Sequence, residues 1–137
     1  MFAATPPLEA LKMIISIAVS DPGLRIMTND VRRAYFHAPV RRPVYVELPK
    51  EDQMEGEEDM VGELRLSMYG TRDAAQNWQE TLSGHLQTAG FKRGIMNPCI
   101  FHHEGRGIRT VVHGDDYTSV GSPVSLECLR SVLVNKV

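Results

Sequence analysis

The sequence predicts an α+β fold, a mostly antiparallel sheet with helices packed on one face. Three observations point there. Stretches beginning at Leu8 and at Arg72 repeat apolar residues at helical spacing. Short β-rich runs, bounded by Gly, Pro and Asp, fill most of the rest. Their order is helix, strand, strand, helix, a β-meander and a last helix, which is the α+β pattern rather than an alternating α/β one. With 137 residues the chain suffices for one domain and is short for two.

The elements follow in order. Thr5-Pro6-Pro7-Leu8-Glu9 reads as a helix start, because proline is tolerated in a first turn. Leu8, Leu11, Ile14, Ile15 and Ala18 then form the expected apolar stripe, and Asp21-Pro22-Gly23 ends the helix. Residues 24–31 read as a strand with Leu24, Ile26, Thr28 and Asp30 on one side. Ala34 to Ala38 suits a short helical turn before Pro39. Val44 to Leu48 alternates like a strand and stops at Pro49, and Glu63 to Leu66 reads as another short strand. Arg72 to Ala89 is the clearest helix. Its stripe is Ala75, Trp78, Leu82, Leu86 and Ala89, with Gly90 as the C-terminal stop and Phe91 folding back on the last turn. Residues 99–102 and 108–113 flank Glu104-Gly105-Arg106-Gly107 as a hairpin, and 108–113 then pairs with Tyr117 to Val120. Ser122-Pro123 opens a final helix with Leu126, Leu129 and Leu133 on one face.

Composition excludes several classes. Net charge is −2, so the whole chain is not a basic nucleic-acid binder. Residues 50–63 set Lys50 against seven acids, net −6, which leaves +4 on the remainder. That acidic run reads as a solvated surface loop. Two cysteines make no disulfide scaffold, so the expected compartment is reducing, cytoplasm or nucleus, and not secreted. The apolar run from Met13 to Val19 is too short to span a bilayer.

The chemistry-bearing feature is His113-Gly114-Asp115-Asp116, two adjacent carboxylates at a hairpin tip. Ordinary turn chemistry explains an Asp and a Gly there. A metal site would need a third carboxylate from another element, and Asp30 at a strand end supplies one if the two strands are neighbours. Phosphoryl transfer by two metals asks for such a set, with ions about 3.5–4 Å apart. Magnesium favours hard oxygen ligands of this kind.

Five segments in order resemble a copia-type retrotransposon reverse transcriptase, over roughly residues 2–121. Asp30-Val31-Arg32-Arg33-Ala34-Tyr35-Phe36 resembles that family's first catalytic motif, Asp-Val-Lys-Thr-Ala-Phe. Val44-Tyr45-Val46-Glu47-Leu48-Pro49 resembles its "YMEQP" segment, and residues 66–78 resemble "LKKSLYGLKQAPRAW". Gly90-Phe91 with Asn97-Pro98-Cys99-Ile100-Phe101 resembles "GF…DPCLF", and His113-Gly114-Asp115-Asp116 stands where the family has Tyr-Val-Asp-Asp.

The resemblance implies a polymerase palm-like fold and RNA-directed DNA polymerase activity, transferring a nucleotide from dNTP to a primer 3′-OH. It implies Asp30, Asp115 and Asp116 as the catalytic carboxylates. These, with the backbone carbonyl of Val31, would hold two Mg²⁺ (or Mn²⁺) ions. Tyr35 and Phe36 would lie at the nucleotide, where a bulky ring disfavours a ribose 2′-OH. Arg72 would contact phosphate, in place of a lysine to which it is not equivalent. Implied partners are an RNA or DNA template with its primer, dNTP, and the rest of a Pol polyprotein, in a virus-like particle for an intact element, with no membrane. Fingers are expected to be largely absent, and thumb and ribonuclease H absent, so residues 1–137 would be one partial domain, weak or inactive alone.

Three departures bear on function. His113-Gly114 replaces Tyr-Val, and the resulting Gly-Asp-Asp also resembles viral RNA-copying RNA polymerases. Asp73 and Ala75 replace Gln and Pro, and Asp73 is expected to pair with Arg72 or to repel template phosphate. Two other readings stay open: a non-catalytic retroelement remnant, and a zinc module using Cys99, His102, His103 and His113.

Overall fold

The computed structural model describes residues 4–56 and 59–136. Of the acidic run, Glu57 and Glu58 lie outside the described residues. The centre is a five-stranded antiparallel sheet in the order β1-β7-β6-β5-β4. Its strands are β1 (Arg25–Asp30), β4 (Lys92–Arg93), β5 (Ile100–His103), β6 (Ile108–His113) and β7 (Asp116–Gly121). A separate two-stranded ribbon joins β2 (Tyr45–Glu47) to β3 (Val61–Glu63). The helices are α1 (Leu8–Ser20), α2 (Ala74–Thr88) and α3 (Pro123–Lys136).

Alternation along the strands divides the core in two. Phe101, Ile108, Val112 and Tyr117 meet Trp78, Leu82 and Leu86 of α2 and Leu126, Leu129 and Leu133 of α3. On the opposite face Val111 and Val120 meet Ala10 and Ile14 of α1. So the α+β class holds, and two helices share one face as expected, but α1 covers the other. Its buried stripe is also rotated from the expected one. Ala10 and Ile14 are buried, whereas Leu8 and Ile15 are exposed. The reason is that Leu-Glu-Ala-Leu-Lys-Met-Ile-Ile-Ser-Ile-Ala-Val-Ser is apolar on most of its circumference, so periodicity alone does not select one stripe.

α2 starts at Ala74 behind Asp73, two residues later than expected. It ends as the sequence suggests. Gly90 adopts φ 93°, and Phe91 N–H donates to the Leu86 carbonyl at 3.0 Å while Phe91 is buried. α3 opens as Ser122-Pro123 suggests, with Ser122 Oγ accepting from Ser125 N–H at 3.3 Å.

Residues 63–66 depart from expectation. The regular strand is β3, which stops at Glu63. Beyond it the chain follows residues 38–44 by single contacts, Leu64 N–H to Val44, Ser67 N–H to Ala38, and Val40 N–H to Arg65. Pro39 and Pro43 on that partner segment have no N–H, so a continuous ladder cannot form.

Candidate active site

β6 and β7 are joined by the two-residue turn Gly114-Asp115, with His113 opposite Asp116. Gly114 has φ 65° and Asp115 is not among the positive-φ residues, the sign pattern of a type II′ turn. Glycine at the first central position is what that turn favours, which gives a local reason for Gly114. Two hydrogen bonds pin the turn from outside the hairpin. Trp78 Nε1–H donates to the Gly114 carbonyl at 2.9 Å, and Val31 N–H donates to the Asp115 carbonyl at 3.0 Å.

β1 pairs with β7 along its whole length, and Asp30 falls directly opposite Asp116. Such partners have Cα atoms about 4.5–5.5 Å apart and side chains on the same face. This is the α1 face. The strand-end aspartate and Asp116 are therefore cross-strand neighbours, with Asp115 one residue away in the turn. A cleft of about 620 Å³ is lined there by Asp30, His113 and Asp116 and by Pro7, Leu8 and Leu11 at the start of α1. The expected apolar company of Asp30 is only partly present. Leu24 packs beside the α1 cluster, but Ile26, Thr28 and Asp30 are exposed.

Asp115 acts toward other neighbours. The hydroxyl of Tyr35 is pushed above the usual tyrosine range by burial first, then by the charge of Asp115, then by Tyr69. Tyr117 is pushed up further, mainly by burial and then by Asp115. Both phenols stay neutral at ordinary pH.

Tyr35 and Phe36 sit on a 3₁₀ turn, Ala34–His37. Arg33, φ 58°, turns the chain out of β1 into it, the one described non-glycine residue with positive φ. Tyr35 stacks on Tyr69 with centroids 4.3 Å apart and planes at 23°, and Phe36 meets Tyr69 edge-on at 5.6 Å. The two expected nucleotide residues are thus brought together by a third ring. Tyr69 was legible only as part of the Leu-Tyr-Gly resemblance.

Arg72 is exposed and lines a shallow depression with Arg42, Asp73 and Gln76. Asp73 pairs with Arg42 and not with its neighbour Arg72, a correction to expectation. Arg42 Nε and Nη2 donate to the two carboxylate oxygens at 3.1 and 3.0 Å. Partial burial raises the Asp73 pKa, and the Arg42 bonds and charge outweigh it, so the carboxyl lies below its usual range. Nothing in the sequence pattern singled out Arg42.

Hard-oxygen donors for a divalent cation are present at the hairpin, and the backbone sets them side by side. Their side chains do not converge on one point: among the described residues no group of three or more His, Cys, Asp or Glu is placed to hold a metal. The zinc alternative fares worse. His102 and His103 point to opposite faces of β5, and Cys99 is buried with Sγ donating to the Ala4 carbonyl at 3.0 Å.

Sheet order, helices and hairpin together define an α+β domain with an acidic turn at one end of its sheet. Residues 1–131 match the model of the reverse transcriptase (RNA-dependent DNA polymerase) family. The chain belongs to that family. It is similar to the retrovirus-related Pol polyprotein from transposon TNT 1-94 of Nicotiana tabacum, 24% identical over 129 residues, covering 92% of this chain and 10% of the relative. It is also similar to the retrovirus-related Pol polyprotein from transposon RE2 of Arabidopsis thaliana, 28% identical over 119 residues, covering 85% and 8%. The transposon Ty1-DR4 Gag-Pol polyprotein of Saccharomyces cerevisiae is 29% identical over 93 residues, covering 67% and 6%. The chain thus spans a tenth or less of each of these relatives. No solved structure matches it. Among the described residues no helix is long and apolar enough to cross a membrane.

Proposed function

We propose that this chain is the palm region of a retrotransposon reverse transcriptase, serving RNA-directed transfer of a nucleotide from dNTP to a primer 3′-OH. The observation that carries this is the register of β1 on β7, which sets Asp30 opposite Asp116 and beside the turn that holds Asp115. Asp30, Asp115 and the Val31 carbonyl would be the groups to hold two Mg²⁺ or Mn²⁺ ions once their side chains turn toward one point, with Asp116 completing the carboxylate set. When bound, such cations supply activation of the attacking hydroxyl and stabilisation of the leaving pyrophosphate.

The remaining work falls to the protein's own groups. The Val31–Asp115 and Trp78–Gly114 bonds fix the turn that presents the carboxylates. Tyr35, Phe36 and Tyr69 form an aromatic platform suited to a sugar or base, and Tyr35 stays uncharged there. Arg72 offers an exposed guanidinium to phosphate. Primer–template and the rest of a Pol polyprotein are the partners, and the compartment is cytoplasm or nucleus. With a body of charge only +4 outside residues 50–63, the chain alone has few phosphate contacts to hold duplex. Its isolated activity is therefore expected to be weak and to show only at high protein concentration.

A second reading is a non-catalytic remnant. One observation favours it: the carboxylates are neighbours without forming a three-ligand cluster. The Gly-Asp-Asp likeness to RNA-copying RNA polymerases has less support, because the family match is to reverse transcriptases. Primer extension with Mg²⁺ or Mn²⁺, on the chain and on its Asp115→Asn variant, decides between activity and remnant. Incorporation abolished by the substitution supports catalysis. No incorporation at any protein concentration leaves the remnant reading for this chain.

A further inference from the structure

Arg41 and Arg42 are both held by acids, Arg41 by Glu80 on α2 and Arg42 by Asp73 at its N-cap. The second pair has the geometry that a guanidinium offers to any planar or tetrahedral oxyanion. Two N–H donors meet two oxygens, at 3.0 and 3.1 Å. The pair borders the depression lined by Arg72 and Gln76. Among the described residues Arg72 makes no ion pair. Two guanidinium groups and one carboxylate thus share one shallow recess.

We infer that Asp73 is an internal occupant of an anion site: its carboxylate fills the Arg42 fork beside Arg72, and a polyphosphate binds there by displacing it. This rests on the reading of Arg72 as a phosphate contact. A neutral side chain at residue 73 would leave both arginines available. The aspartate instead cancels one positive charge and sets a negative one where an anion must approach. Asp73 is therefore a specificity-determining residue that weakens the site. The pair is surface-exposed, with relative side-chain exposures of 51% and 22%, so its hold is modest and reversible.

The test is calorimetric titration of the whole chain with inorganic triphosphate at low salt. Asp73→Asn is expected to bind about three- to fivefold more tightly than wild type, the range set by a surface ion pair. Asp73→Gln is expected to do the same and serves as the second variant, and thermal melts confirm that each folds. Adding Arg72→Ala is expected to erase most of the gain. Binding that Arg72→Ala weakens but neither residue-73 variant strengthens overturns the inference and leaves the role of Arg72 standing. A gain at residue 73 that Arg72→Ala leaves intact overturns the reading of Arg72 and assigns the site to Arg42. No binding by any variant overturns both.

Discussion

The indole N–H of Trp78 donates to the carbonyl oxygen of Gly114 at 2.9 Å, across 36 residues of chain. The ring is 1% exposed, so α2 packs against the sheet and fixes the aspartate turn with the same side chain. Core and site are coupled at this point.

Trp78→Phe keeps a ring in the core and removes the donor. The Gly114 carbonyl then loses its partner in a partly buried place, which costs about 1–3 kcal/mol, in addition to the volume lost. Urea denaturation measures it. A loss below a few tenths of a kcal/mol would mean that the bond does not hold the turn.

Gly114 sits at φ 65° with nothing within 4 Å of an added Cβ. The cost of a side chain is therefore backbone strain and not collision. Gly114→Val, which restores the family's residue, is expected to destabilise by about 1–3 kcal/mol. Gly114→Asn is expected to cost less, because Asn tolerates positive φ better than a β-branched residue does. Equal losses in the two variants would contradict this account of the turn.

The hydroxyl of Tyr117 is buried without a hydrogen-bond partner, close to the charge of Asp115. Its folded pKa is raised because the phenolate is disfavoured, so stability is unaffected by its ionisation below the unfolded value of about 10 and falls as pH climbs above it. Tyr117→Phe is expected to match or exceed wild-type stability at neutral pH and to flatten the decline above pH ~10. Thermal melts across the alkaline range read both effects. Marked destabilisation at neutral pH would show that the hydroxyl has a partner after all.

Ile14 is 1% exposed and Ile15 46%. Ile14→Ala is expected to cost about 2–4 kcal/mol, and Ile15→Ala well under 1. The reverse order would mean that α1 presents the stripe first expected from the sequence.

Much of this arrangement was legible in the sequence because local chemistry and global pattern agreed. Gly90-Phe91, Ser122-Pro123 and Glu104 to Gly107 each carry the residue types their caps and turns require, and the structure uses them so. The meeting of Asp30 with Asp116 was legible as a condition, that β1 and β7 be neighbours, which the sheet order meets. Where reading failed, several solutions had similar local energy. α1 has two apolar stripes, and only the sheet beneath selects one. The segment after Glu63 alternates like a strand, but its ladder depends on prolines in a partner more than twenty residues upstream. Asp73 has Arg72 beside it in sequence, yet Arg42 arrives from 31 residues away with better geometry. Non-local partners such as Arg42 and Gly114 leave no periodic trace.

The central claim is that Asp30, Asp115 and Asp116 form one divalent-cation site. Titration of the chain with Mn²⁺, followed by paramagnetic broadening of assigned amide signals, tests it without requiring activity. The amides of Val31, Asp115 and Asp116 are expected to broaden before those of the acidic residues 50–63, and Asp30→Asn is expected to abolish that early broadening. Broadening confined to residues 50–63, or unchanged at the hairpin in Asp30→Asn, would contradict the account.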